Sequence, residues 1–314
     1  MNTETFKHKN IWFTGTGQFA ALCLEEMSRQ GMEFTRIITG NPTRSGRNNR
    51  ENPSAVELKA SSLGLNVTRT GKLNENDGLI SALGSENPDI IFVIDFGQII
   101  REPFLQRMCL NIHPSLLPEY RGAAPVQRAI LDGRKRTGVT VFRLAQAMDA
   151  GEILAQSEIV INDSENASDI YARLAVIGSS IALEALSKNE LTFTPQNDEL
   201  ATYAPKISKT DFILSFSFSA ERFVNTVRAL DMSGGAFVTA NSKRLKIWRA
   251  SVRRDIKPGD SGQVMSVEGN PVISCSDYCV ELVEVQAEGK KRMPAREWAA
   301  GIRLKTGTNI SHTS

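Results

Sequence analysis

The sequence predicts an α/β fold: a Rossmann-like, mostly parallel sheet followed by a C-terminal small β-barrel domain. Three observations predict it. Short apolar strands alternate with amphipathic helices over residues 11–186. The run Ile90-Ile91-Phe92-Val93-Ile94 is continuously apolar, the pattern of a strand buried on both faces of a parallel sheet. From Ala236 onward the chain changes to short strands separated by glycine-bearing turns, the pattern of a small barrel.

At 314 residues the chain is long for one core. Two domains are expected, over residues 1–190 and 210–314, with a polar, turn-rich linker at 191–209. A hydrophobic content of 41% with 23% charged residues places the chain among ordinary globular proteins. It has no apolar run of the roughly 18 residues that a membrane span needs, and its start is polar, without a secretory core. A cytoplasmic location follows as the expectation. The four cysteines (Cys23, Cys109, Cys275, Cys279) show no metal-ligand spacing and are expected to be reduced thiols, with no metal. Charge is divided unevenly. Residues 1–204 hold 20 Lys+Arg against 24 Asp+Glu, and residues 205–314 hold 17 against 11. The basic C-terminal part points to a polyanionic partner.

In chain order, a strand over 11–14, the turn Gly15-Thr16-Gly17 and a helix over 18–30 open the first β-α unit. A dinucleotide fingerprint requires a third glycine where Ala20 stands. It also requires an acidic residue at the end of the second strand (34–39), which instead runs into Gly40-Asn41-Pro42. An NAD site is therefore disfavoured. Residues 40–53 are polar, with Arg44, Arg47 and Arg50 spaced among turn-forming residues. Two readings stay open there: a floppy surface loop, or a basic arm that orders on phosphate. Further helices are expected at 54–63, 76–87, 102–108, 124–132, 163–186 and 220–230. Strands are expected at 66–68, 108–113, 137–143 and 153–159, and in the C-terminal part at 236–240, 245–252, 262–267, 271–274 and 279–285.

The chemistry is concentrated in Asn111-Ile112-His113-Pro114-Ser115-Leu116-Leu117-Pro118. A strand period of two puts Asn111 and His113 on the same face. The other histidines, His8 and His312, lie near the termini, so His113 is the one imidazole available to a folded core. An amide donates to an oxygen that becomes negative in acyl transfer, and an imidazole takes or returns a proton or stabilises that oxygen when charged. Asp149, in a turn just ahead of the 153–159 strand, can fix the tautomer and favour the charged ring. Both elements are expected at the carboxyl ends of strands, where open α/β sheets bind ligands. The sequence has no Gly-x-Ser-x-Gly, and Cys109 lies inside an apolar strand, so the set suits acyl transfer to an external amine without a covalent enzyme intermediate.

These residues resemble the folate-dependent formyltransferases. Asn-x-His-x-Ser-Leu-Leu-Pro runs across that superfamily, and Tyr120-Arg121-Gly122-Ala123-Ala124-Pro125-Val126-Gln127 resembles its tRNA-acting members. The likeness extends through Met148-Asp149-Ala150-Gly151-Glu152 to Tyr203-Ala204-Pro205-Lys206-Ile207-Ser208-Lys209, and covers residues 10–303. It implies transfer of a formyl group from 10-formyltetrahydrofolate to the amino group of initiator methionyl-tRNA, by direct attack of the amine, in a monomeric enzyme. A sugar-nucleotide N-formyltransferase using the same donor is the alternative. By the same likeness Asn111 and His113 polarise the formyl oxygen, and Asp149 orients His113 and helps take the amine proton. Ser115, Leu116, Leu117 and Pro118 would contact folate, and Arg47 would reach the tRNA acceptor stem. The C-terminal OB-like domain would bind tRNA through Lys243, Arg244, Lys246, Arg249, Arg253, Arg254, Lys290, Lys291 and Arg292. Trp248 is read first as a core residue and second as a base-stacking one. Asp95-Phe96-Gly97 departs from the family's small residue-Tyr-Gly and places an extra carboxylate next to the expected pterin pocket, where it could bind a pterin amino group or alter folate affinity.

Overall fold

The computed structural model describes residues 9–45, 50–240 and 243–310. The chain forms two compact units. The chain up to Pro125, with Arg136–Val160 and Tyr171–Ala204, makes one; Val126–Lys135, Ile161–Ile170 and the chain from Pro205 make the other.

The first unit begins with β1 (Ile11–Gly15), α1 (Gln18–Arg29) and β2 (Arg36–Gly40). Next come a short hairpin, β3 (Thr43–Ser45) with β4 (Arg50–Asn52), then α2 (Ala55–Ser62), β5 (Thr68–Thr70), α3 (Asp77–Glu86) and β6 (Ile90–Ile94). β7 (Cys109–His113), β8 (Arg121–Gly122), β9 (Arg136–Arg143), β10 (Ile153–Val160), most of α5 (Ala167–Leu186) and β11 (Tyr203–Ala204) follow, while α4 (Pro125–Leu131), between β8 and β9 in sequence, belongs almost wholly to the second unit. Seven strands make one sheet in the order β10-β9-β7-β6-β1-β2-β5. From β7 to β5 every pairing is parallel, whereas β9 runs antiparallel to β7 and β10 antiparallel to β9. The central strands β1 and β6 are buried at all five positions each, which is why their sequences carry no polar alternation.

Helix starts follow side-chain capping. Ser54 Oγ accepts from Glu57 N at 3.0 Å, and Asn76 Oδ1 accepts from Leu79 N at 3.0 Å. The helix expected over 102–108 is only a 3₁₀ turn at Phe104–Gln106. Seven residues are too few to sustain an α-helix without tertiary support, and here burial of Phe104 fixes a single turn. The helix expected from 163 starts at Ala167, where Asp169 reaches back to Asn166 N at 2.9 Å. The 40–53 stretch is not structureless on either reading, since Thr43 pairs with Asn52 and Ser45 with Arg50. Residues 46–49, with Arg47, lie outside the described residues.

Helix α1 has no capping side chain of its own, because its N-cap is Gly17. Asp95, at the end of β6, supplies one. Its Oδ2 accepts from Phe19 N at 3.3 Å, and its main-chain oxygen accepts from Thr16 N at 3.1 Å and Gly17 N at 2.9 Å. A β-carbon at Gly17 would stand 1.8 Å from Asp95 Oδ2, so the glycine is there to admit the carboxylate. Asp95 is exposed as a residue, but its carboxylate is turned inward onto α1. Burial pushes that carboxyl up to about 6, against the pull of the Phe19 and Ala20 amides. The helix end that binds phosphate in dinucleotide-binding folds is thus filled by the chain's own carboxylate. Asp95→Ala is expected to lower stability by about 1 kcal/mol through loss of this cap. Asp95→Asn, which can still accept from Phe19 N, should recover most of it in thermal denaturation.

The second unit adds α6 (Ala220–Ala229), β12 (Ala236–Ala240), β13 (Lys243–Arg253), β14 (Val264–Ser266), β15 (Val272–Ser274), β16 (Cys279–Ala287), β17 (Met293–Pro294) and α7 (Ala295–Gly301). Its strands make one antiparallel sheet in the order β12-β13-β16-β15-β14, with β17 on β16. β13 is long because it serves both β12 and β16, and register shifts around Arg249 bend it between them. Arg128 grips Asp211 through two guanidinium bonds of 3.0 and 2.9 Å, which holds the Asp211 carboxyl down to about 2.

All four cysteines are free and buried, and burial pushes the Cys109 and Cys275 thiols up to about 12, the behaviour of inert packing residues. Among the described residues no helix is long and apolar enough to cross a membrane.

Candidate active site

β7 brings Asn111 and His113 to the edge of the sheet core. Its pairing with β6 covers Ile91–Cys109 and Phe92–Leu110, so Asn111 and His113 lie beyond it, held on the other side by β9 opposite Phe142 and Thr140. His113 is only 5% exposed. Its Nε2 lies 2.9 Å from the Tyr120 carbonyl oxygen. A carbonyl only accepts, so Nε2 carries the proton and Nδ1 is the nitrogen left for chemistry. Nδ1 faces Asp149 Oδ2 at 3.8 Å. That is beyond hydrogen-bond distance, though the two groups face each other. The expected tautomer lock is therefore Tyr120 rather than Asp149. Asn111 Oδ1 is buried and has no hydrogen-bond partner among the described residues. A buried amide left open beside an imidazole is an unusual cost for a structural residue and a normal feature of a binding site.

Asp149 follows the carboxyl end of a strand, β9, as expected, but that strand is antiparallel to β7. β9 runs against β7 and leaves at Arg143, opposite Leu110, and residues 144–152 arch back to bring the carboxylate to His113. Asp149 itself has φ +53°, and its Oδ2 accepts from Gly122 N at 2.8 Å. Gln196 braces the arch, donating to the carbonyls of Asp149 at 2.9 Å and Gly151 at 2.7 Å.

The loop 114–118 is stitched down from β9 and β10. Thr140 Oγ1 donates to Ser115 O at 2.7 Å and accepts from Leu117 N at 3.1 Å, and Gln156 Nε2 donates to Leu117 O at 2.9 Å. Ser115 and Leu117 are buried, and the Ser115 hydroxyl donates to Glu119 O at 2.6 Å. Leu116 and Pro118 are half-buried. The structure thus brings together Asn111, His113 and Asp149, with the 115–118 loop continuing directly from β7. Thr140, Gln156, Gln196 and the Tyr120 carbonyl were not singled out by the sequence. Strict alternation along β9 places Thr140 on the loop-facing side, a usable signal, whereas nothing local marks Gln196.

In the second unit, part of the expected positive charge is engaged internally. Arg253 pairs with Asp255 and Glu281, and Arg254 with Glu221. Trp248 is 7% exposed, its Nε1 donates to Gln286 at 3.1 Å, and the Arg292 guanidinium covers its ring at 3.3 Å. Trp248 is therefore a packing residue, as first read. Lys243, Arg244 and Lys290 border a concavity of about 870 Å³ that Trp298, Ile302 and Ile310 also line.

Comparison with known proteins adds three findings. Residues 8–186 match the family model described as "Formyl transferase", and residues 206–303 match "Formyl transferase, C-terminal domain". The methionyl-tRNA formyltransferase of Natranaerobius thermophilus is 32% identical over 311 residues, covering 95% of this chain and 98% of that protein. Among solved structures, HypX from Aquifex aeolicus in complex with tetrahydrofolic acid shares the fold with a TM-score of 0.66 at 17% identity, over 96% of this chain and 48% of that one. The methionyl-tRNA formyltransferase from Clostridium thermocellum does so with a TM-score of 0.55 at 19% identity, over 79% and 95%.

Proposed function

The chain belongs to the formyl transferase family, and from that premise we propose that it transfers the formyl group of 10-formyltetrahydrofolate to the amino group of initiator methionyl-tRNA. The observation that carries the substrate is the extent of the likeness: relatives with that activity in their name align with 95% of the chain, through both units.

The folate supplies a formyl group bound to an amine that leaves as the new amide forms. Asn111 shares β7 with His113, and on this reading its Nδ2 donates to the formyl oxygen together with His113, while its buried, open Oδ1 is left to accept from a donor on the substrate. With Nε2 committed to Tyr120 O, His113 has only Nδ1 to use, donating when the ring is charged and accepting when it is neutral. Asp149 stands beside that nitrogen, where it helps take the proton that the attacking amine releases. The new carbon–nitrogen bond forms as the old one breaks, and the amine proton ends on the departing folate nitrogen, with His113 Nδ1 as the group placed to pass it. Residues 115–118 form the wall that receives the folate. On this reading Arg47 is a contact for the acceptor stem, and the C-terminal domain (210–314), read as OB-like, holds the tRNA. The catalytic domain, expected to end at 190, runs on this reading through the first part of the 191–209 stretch to Ala204, in a monomeric, cytoplasmic enzyme.

The test is direct. The protein is incubated with 10-formyltetrahydrofolate and either methionyl-tRNA or an amino-sugar nucleotide, and the formylated product is measured. Formyl-methionyl-tRNA is the expected product. A reaction with the sugar alone would overturn the substrate assignment and leave the formyl-transfer chemistry intact.

A further inference from the structure

The groups that hold Asp149 in place come from two segments remote from it in sequence. Gln196, in the stretch leading to β11, donates its Nε2 to the main-chain oxygens of both Asp149 and Gly151. Its Oε1 accepts from Arg121 Nε at 3.1 Å and Nη2 at 2.7 Å. A guanidinium has only donors, so the amide cannot be turned the other way, and its nitrogen must face the two carbonyls. Arg121 is 4% exposed, and its Nη2 also reaches Asp198 Oδ1 at 2.7 Å, so this cation is buried with its donors directed. The next residue, Gly122, binds the Asp149 carboxylate itself.

The arrangement has a mechanical logic. Asp149 sits in the left-handed region, which an aspartate adopts at a cost on the order of 1 kcal/mol unless the surroundings impose it. One amide bridging the carbonyls on either side of Ala150 fixes the turn, and the Gly122 N–H fixes the side chain. Together they set the 3.8 Å separation from His113 Nδ1. The stretch containing Gln196 is itself tied to the loop after His113. β11 pairs in parallel with β8, Tyr120 N donates to Thr202 Oγ1 at 2.8 Å, and Arg121 N donates to Thr202 O at 2.9 Å.

We propose that Gln196 is a positioning residue for formyl transfer, holding the Asp149 carboxylate beside His113 while Arg121 orients its amide. The proposal rests on the reading that Asp149 acts with His113, and one arm of its test does not depend on which substrate is used. In the full-length protein, Gln196 is replaced by Ala and, to keep its volume, by Met. Both variants should lower kcat for formylation of methionyl-tRNA about 10- to 100-fold, with KM for tRNA and folate within about twofold of the parent. In an Asp149→Asn background, Gln196→Ala should cost less than about twofold more, because residues acting through one another are not additive. Amide hydrogen exchange over residues 147–152, followed without substrate, should be faster in both variants. Equal losses in the two backgrounds overturn the proposal, as does unchanged exchange over 147–152. If the parent protein fails to formylate methionyl-tRNA, the substrate assignment falls and the exchange result alone decides the role of Gln196.

Discussion

Replacing His113 with alanine is expected to lower turnover by about 100-fold or more, the usual effect of removing a group that handles a proton in the rate-limiting exchange. Among the described residues His113 is the one imidazole, and its Nδ1 is the one ring nitrogen not committed to a carbonyl. The substitution also leaves the Tyr120 carbonyl without this donor, at a stability cost of about 1–3 kcal/mol. Rate and thermal stability therefore have to be measured on the same preparation. A folded variant with near-normal turnover would take His113 out of the reaction. A variant that loses stability in that range, with turnover reduced far beyond it, is the expected result.

Gly151→Ala should be nearly as damaging, for a reason that has nothing to do with contact to substrate. A β-carbon there would lie 1.7 Å from the Arg143 carbonyl oxygen and 2.9 Å from its carbon. Arg143 is the last residue of β9, paired with Leu110 of β7 and donating its N–H to Glu152 O at 2.9 Å, so the strand cannot yield and the arch must. Asp149 is two residues away and Gln196 bonds to Gly151 itself. Displacement of the arch by about 1 Å is expected to reduce turnover on the order of 100-fold, with a stability loss of roughly 1–3 kcal/mol from overpacking. A crystal structure of the variant would show the displaced turn directly. Parental turnover together with a parental melting temperature would refute the argument.

Much of this was legible in the residues. The uninterrupted apolar runs at 11–13 and 90–94 mark strands that turn out to be fully buried. Ser54 and Asn76 announce helix starts that the structure confirms by hydrogen bonds. Asn111 and His113 fall on one strand with the period that the sequence requires. What could not be read depends on partners distant in sequence. The direction of β9 is set by its pairing with β7, and no local pattern distinguishes an antiparallel return from a parallel one when both faces are covered. Asp95 looked like a ligand group beside a pterin, but its role as the cap of α1 appears only once β6 and α1 are side by side. Gln196 lies in a polar, turn-rich stretch where glutamine carries no signal. Its meaning comes from Arg121, 75 residues earlier.

The pairing of β11 with β8 has a practical consequence for dissecting the enzyme. A fragment cut at residue 190, the domain end expected from the sequence, would lose the strand that flanks Arg121 and Gly122, the Thr202 contacts to the loop after His113, and the amide that braces the Asp149 arch. Any shortened chain intended to keep the reacting groups in register has to run through Ala204.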